Sequence, residues 1–113
     1  MEGTVTLSGH KFYTVKGFAE ATNKKEGSIY RLMHSGNTIR KLLFVKFGTN
    51  IYIPELELYN FPFKASGKNS TVMRFKAPGE MELCKMGDLL DESEIRKKME
   101  SFEAAIGAES LEE

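Results

Sequence analysis

The sequence predicts an α+β chain: two short helices with a tight turn between them, a β-hairpin, then a second hairpin and an amphipathic acidic helix. Three observations predict it. Apolar residues recur at helical spacing from Val15 to Met33, interrupted by the turn-forming pair Thr22-Asn23. The pattern then becomes aromatic and β-branched around Gly48-Thr49-Asn50, as two strands and a turn require. Finally, Ile95, Met99, Phe102 and Ile106 fall at i, i+4, i+7 and i+11, one stripe of a helix. With 113 residues, 41% hydrophobic and 28% charged, the chain has the size and composition of one globular domain.

Taken in order, Thr4 to Leu7 alternates like a strand, Ser8-Gly9 is a turn signal, and His10 to Tyr13 resumes an extended pattern. Thr14 is placed to cap a helix whose stripe is Val15, Phe18 and Ala19. A second helix is expected over residues 25–35, with Ile29, Leu32 and Met33 inward and Gly36 as its left-handed stop. Strands are expected at Phe44–Phe47 and Ile51–Ile53, and Pro54 opens a short helix with Glu55 and Glu57 in its first turn. The polar stretch from Lys64 to Ser70 reads as a seam, giving residues 1–64 as the main unit and 65–113 as an accessory or oligomerisation segment. Thr71–Lys76 and Glu80–Met86, turned by Pro78-Gly79, form the second hairpin. Asp91 and Glu94 make a capping box for the last helix, which is expected to end at Gly107 with a frayed end after it.

Charge is distributed unevenly. Residues 1–79 carry 12 Lys/Arg against 5 Asp/Glu, and residues 80–113 carry 4 against 11, so a body of +7 precedes a segment of −7. A basic body is the electrostatic footprint of a polyanion-binding surface, although the two halves also attract each other. One cysteine and two histidines offer neither an internal disulfide nor zinc-ligand spacing, which excludes a disulfide scaffold and argues against a metalloenzyme. His10 and His34 have no nucleophile or paired carboxylate at catalytic spacing, and no Gly-rich phosphate loop occurs. The chain is therefore expected to be a non-enzyme without a cofactor. No apolar run reaches the ~20 residues of a membrane span and no signal-peptide pattern opens the chain, so a cytoplasmic protein with no membrane partner is expected.

Residues 14–35 have the footprint of a helix-turn-helix, and the hairpin after it that of a wing. The particular residues Tyr13-Thr14-Val15, Ala19-Glu20, Ile29-Tyr30-Arg31-Leu32-Met33 and Ser35-Gly36 resemble the excisionase-type branch of the MerR-like winged-helix DNA-binding family. Val45-Lys46-Phe47-Gly48, Ile51-Tyr52-Ile53-Pro54, Leu58 and Phe61 are similar to its wing and closing helix, so the resemblance covers about residues 12–62. It implies a winged helix-turn-helix and a recombination-directing or transcription-regulating role, often in phages and other mobile elements. Departures are Asn23 at the turn glycine, Lys24 at a buried valine, Lys25 at the capping serine, Ala21-Thr22 at a leucine pair, and about five residues inserted around Thr38 to Leu42.

With Ile29 pointing inward, Arg31 and Gly27 point outward, His34 lies near them, and Ser28 and Tyr30 sit on the shoulders. Arg31 suits a guanine edge or a phosphate; Ser28 suits either, Gly27 admits close backbone approach, and Tyr30 can donate to phosphate. Lys24 and Lys25 stand where the helix dipole already favours an anion, while Glu26 opposes phosphate unless it accepts from cytosine. Arg40 and Lys41 in the insertion, and Lys46, Thr49 and Asn50 in the wing, complete the candidate DNA-contacting set. Phe12, Phe18, Phe44, Phe47, Phe61 and Phe63 are read as core, and Cys84 as a buried or edge-strand residue.

The function expected is sequence-selective binding of double-stranded DNA. The alternatives are a protein-interaction or inhibitor protein whose acidic end meets a basic partner or mimics a nucleic acid, and single-strand or RNA binding through Arg74, Phe75 and Lys76. The stripe Ile95, Met99, Phe102 and Ile106 must be covered either by its own domain or by a second subunit. A homodimer or head-to-tail oligomer is the favoured expectation, because one recognition helix covers little DNA.

Overall fold

In the computed structural model, residues 3–7, 9–37, 39–65 and 71–112 are described, with side chains in the last helix given as far as Phe102 and at Ala104. Strands β1 (Thr4–Leu7) and β2 (His10–Tyr13) pair antiparallel, Thr4 opposite Tyr13 and Leu7 opposite His10. Thr14 is extended, and its hydroxyl accepts from the Gly17 N–H at 3.0 Å, capping α1 (Val15–Thr22) as expected. The Gly3 carbonyl accepts from the Thr14 N–H at 3.0 Å, which lays the chain's start across this first turn. A Cβ at Gly17 would run into that carbonyl, so the position requires glycine.

Asn23 adopts the left-handed conformation (φ 55°, ψ 39°), one that Asn tolerates better than most residues, and its N–H returns to the Ala19 and Glu20 carbonyls. The hydroxyl of buried Thr22 donates to the Phe18 carbonyl at 2.8 Å, so its burial leaves no unpaired polar side-chain atom. α2 (Glu26–His34) begins after Lys25, which offers no side-chain cap. At its other end, the N–H groups of Ser35 and Gly36 both donate to the Arg31 carbonyl, and Gly36 (φ 73°) turns the chain away.

β3 (Val45–Phe47) and β4 (Asn50–Pro54) form a tight hairpin, with Phe47 opposite Asn50 across Gly48-Thr49. A positive φ at Gly48 (65°), and not at Thr49, matches a type II′ turn. β4 also pairs with β2, giving a four-stranded sheet in the order β1-β2-β4-β3, and α3 (Glu55–Asn60) leaves directly from β4.

Alternation along β2 and β4 divides the interior into two cores. Tyr13, Ile51 and Ile53 face Phe18, Ile29, Met33, Leu58 and Phe61 of the α1–α3 layer. Phe12 and Tyr52 point to the other side, where with Leu43 and Val45 they meet Ile95, Met99 and Phe102 of α4 (Glu92–Glu112). The result is three layers, α1–α3, sheet, α4.

The stripe expected to pair with a second subunit is thus covered by the chain's own sheet. Ile95 and Met99 are buried, and Phe102 packs edge-on to Phe12 at 5.6 Å and against His10 at 4.2 Å. Ile106 lies outside the described side chains. The capping box forms as expected, the Asp91 carboxylate accepting from the Glu94 N–H at 2.8 Å and the Glu94 carboxylate from the Asp91 N–H at 3.4 Å. Contrary to expectation, α4 does not stop at Gly107 but runs to Glu112. A glycine inside a helix costs only about 1 kcal/mol, less than is needed to end one.

β5 (Lys64–Ala65), β6 (Thr71–Ala77) and β7 (Glu80–Lys85) make a second antiparallel sheet in that order. Lys64 and Ala65, expected in a loose seam, are paired with Met73 and Val72, and residues 66–70 of that seam lie outside the described residues. Pro78-Gly79 turns the hairpin, and the Gly79 N–H donates to the Ala21 carbonyl of α1 at 2.7 Å. Phe75 enters the first core, 5.0 Å from the Phe63 ring. The second hairpin therefore shares the main core instead of hanging from it. Among the described residues, no helix is long and apolar enough to cross a membrane, and no group of three or more His, Cys, Asp or Glu is placed to hold a metal ion.

Candidate nucleic-acid interface

Burying Ile29 and Met33 fixes the rotation of α2. Gly27, Tyr30, Arg31 and His34 are left on the outside, with Ser28 half-buried on the flank. Tyr30 keeps 41% of its surface exposed, an unusual amount for a ring flanked by a core. His34 sits edge-on to Phe44 at 6.2 Å, which ties the end of α2 to the segment leading into β3. The Leu42 N–H donates to the Leu32 carbonyl at 2.8 Å and makes a second tie. Among the described residues, nothing approaches the open side of Gly27 within 4 Å of where a Cβ would stand.

Lys24 and Lys25 are both exposed at the start of α2, and the Lys24 ammonium lies 5.9 Å over the Phe63 ring. In the β3–β4 hairpin, Lys46, Thr49 and Asn50 are all exposed. Phe47, expected in the core, is instead 36% exposed at the hairpin tip. It shares the face of buried Val45, and the alternation Val45-Lys46-Phe47 cannot reveal where the covering layer ends. Several other cations have acidic partners: Lys11 with Glu55, Arg40 with Glu57, Arg74 with Glu82 and Arg96 with Glu92. Lys24, Lys25, Arg31, Lys41 and Lys46 have no such partner among the described residues and are free to meet an external anion.

Arg40 leaves the candidate set. Its guanidinium is bound in two places by the Glu57 carboxylate, at 2.8 and 2.7 Å, and lies 4.8 Å over the Phe61 ring. The cause is the shape of the insertion. The Asn37 side chain accepts from the Ile39 and Arg40 N–H groups and donates to the Pro62 carbonyl, which curls the loop inward. Thr38 lies outside the described residues. Lys41 remains exposed and borders a groove shared with Arg96 and Glu100 of α4.

The second hairpin does not offer the stacking platform considered for single strands, since Phe75 is buried and Arg74 is bound to Glu82 at 2.9 Å. Burial pushes the Cys84 thiol up, Arg74 pulls it partly back, and Asp88 and Glu82 raise it further, the opposite of an activated nucleophile. A scan against protein-family models and searches of the curated proteins and of the solved structures find no match for this chain.

Proposed function

We propose that this is a winged helix-turn-helix protein that binds double-stranded DNA with sequence selectivity. In this reading α2 lies in the major groove and the β3–β4 hairpin acts as the wing. The observation that carries it is the exposed face of α2, where Gly27, Tyr30, Arg31 and His34 are left outward by the burial of Ile29 and Met33. Lys24, Lys25 and Lys46 supply unpaired charge for phosphates. Arg31 reads a base edge, and Thr49 and Asn50 fix register from the wing. The resemblance to excisionase-type proteins supports a recombination-directing or small regulatory role of this binding. Selection of bound duplexes from a random pool, followed by titration of the winner against a scrambled duplex, tests the reading. One enriched sequence with salt-dependent affinity supports it, and binding indifferent to sequence contradicts it.

A further inference from the structure

α2 is held at both ends by β structure. Its end is tied to the root of the β3–β4 hairpin, through His34 against Phe44 and the Leu32 carbonyl. Its start lies against the second sheet. The Lys24 ammonium stands 5.9 Å over Phe63, the residue before β5, and the Phe63 ring meets Phe75 of β6 at 5.0 Å. The bond from the Gly79 N–H to the Ala21 carbonyl fixes the turn of the same sheet to the end of α1, just before Asn23 and Lys24. Resting on the proposed duplex binding, we infer that this second sheet is a further phosphate-binding flank. Lys64 and Lys76 join Lys24 in holding the DNA backbone beside the start of α2, at the end of that helix away from the β3–β4 root.

The register places these groups. Lys64 is paired with Met73, and residues 73 and 75 share a face of β6. Phe75 carries that face into the first core, so Lys64 stands on the α1–α3 side of its sheet, exposed. Lys76 falls at the register shift between Phe75 and Ala77, with no residue of β7 opposite it, and is exposed as well. Met73 and Lys76 are three residues apart, about 10 Å along the strand. The Lys24 ammonium stands between these two positions, over Phe63, which precedes Lys64 and touches the neighbour of Lys76. A duplex strand carries one charge per ~3.4 Å of axis, so the three lysines span about three phosphates. Glu20, Glu26 and Glu80 lie on the same segments, yet none of the three lysines has an acidic partner among the described residues. Arg74, on the opposite face of β6, is by contrast held by Glu82.

Phosphate contacts carry no sequence information, so the test titrates the full chain onto a scrambled duplex across salt and does not require selectivity. The native chain is compared with the double variant Lys64→Gln, Lys76→Gln, which keeps most of each stem and removes the charge. Lys98→Gln is the control, since α4 packs on the side of the first sheet away from the α1–α3 layer. Circular dichroism confirms that all three are folded. The double variant is expected to flatten the slope of log affinity against log salt by about two units, and Lys98→Gln to leave it unchanged. An unchanged slope in the double variant overturns the inference while leaving the proposed function standing. Equal flattening per lysine by Lys98→Gln also overturns it, because net charge alone then explains the loss. A native chain that binds no duplex overturns both readings.

Discussion

Arg40 and Glu57 grip each other through two parallel hydrogen bonds, Nη1 to Oε2 at 2.8 Å and Nη2 to Oε1 at 2.7 Å, with side chains 10% and 0% exposed. The same carboxylate accepts from the Leu43 N–H at 2.7 Å, two residues before β3 begins. One buried pair therefore holds α3, the loop after α2 and the root of the β3–β4 hairpin together.

Removing either partner strands a buried charge. Arg40→Ala and Glu57→Ala are each expected to cost about 3–5 kcal/mol in urea unfolding. The joint change Arg40→Met with Glu57→Leu is expected to cost well under the sum of the two, since neither charge is then left alone. Strict additivity would show that the pair is not coupled.

Two helical glycines give opposite outcomes for one substitution. Gly27→Ala meets nothing among the described residues and gains helix propensity, up to about 1 kcal/mol. Gly17→Ala drives a methyl into the Gly3 backbone and is expected to lose about 1–3 kcal/mol. Thermal melts of the two variants, shifted in opposite directions from the native chain, check both.

What was legible in the sequence was local. Thr14, Asn23, the Asp91–Glu94 box and the Gly48 turn each act through backbone groups a few residues away, so residue type and spacing suffice. The rotation of α2 was also legible, because Ile29 and Met33 can be buried in only one way on so short a helix. Partners far apart in the chain were not. Nothing in Arg40 distinguishes a phosphate clamp from the mate of a glutamate 17 residues on, and only the loop curled by Asn37 decides it. The α4 stripe declared that it needed a cover without saying which, and Phe12 and Tyr52 supply it from a face that alternation left unassigned. Phe75, in a strand with cations on both sides of it, gave no sign that it would enter the core.

Because α4 closes the second core, Ile95→Ala is expected to cost about 2–5 kcal/mol. A chain ended after Met86 bares Phe12, Leu43 and Val45, and is expected to lose its cooperative melt. An unchanged melting temperature for the shortened chain would show that α4 is only lightly attached.

Tyr13 gives a pH signature. Burial first, then the neighbouring Tyr59 and Glu55, push its phenol from the ordinary 10 up to about 12. Folding thus favours the neutral form, and this contribution is fully present below pH 10 and is lost as the pH rises from 10 through about 12. Absorbance of the phenolate band should show a late titration step that Tyr13→Phe abolishes. A late step that persists in Tyr13→Phe belongs to another residue.

The most direct measurement is fluorescence anisotropy of a selected duplex and a scrambled one, titrated across salt with the native chain, Arg31→Ala and Lys25→Ala. Arg31→Ala is expected to weaken the selected duplex by about 1–3 kcal/mol while leaving the scrambled one and the melting temperature nearly unchanged. Lys25→Ala is expected to weaken both duplexes alike and to flatten the salt slope by about one unit. Equal losses on both duplexes for Arg31→Ala, or a native chain that does not prefer any duplex, would contradict the account.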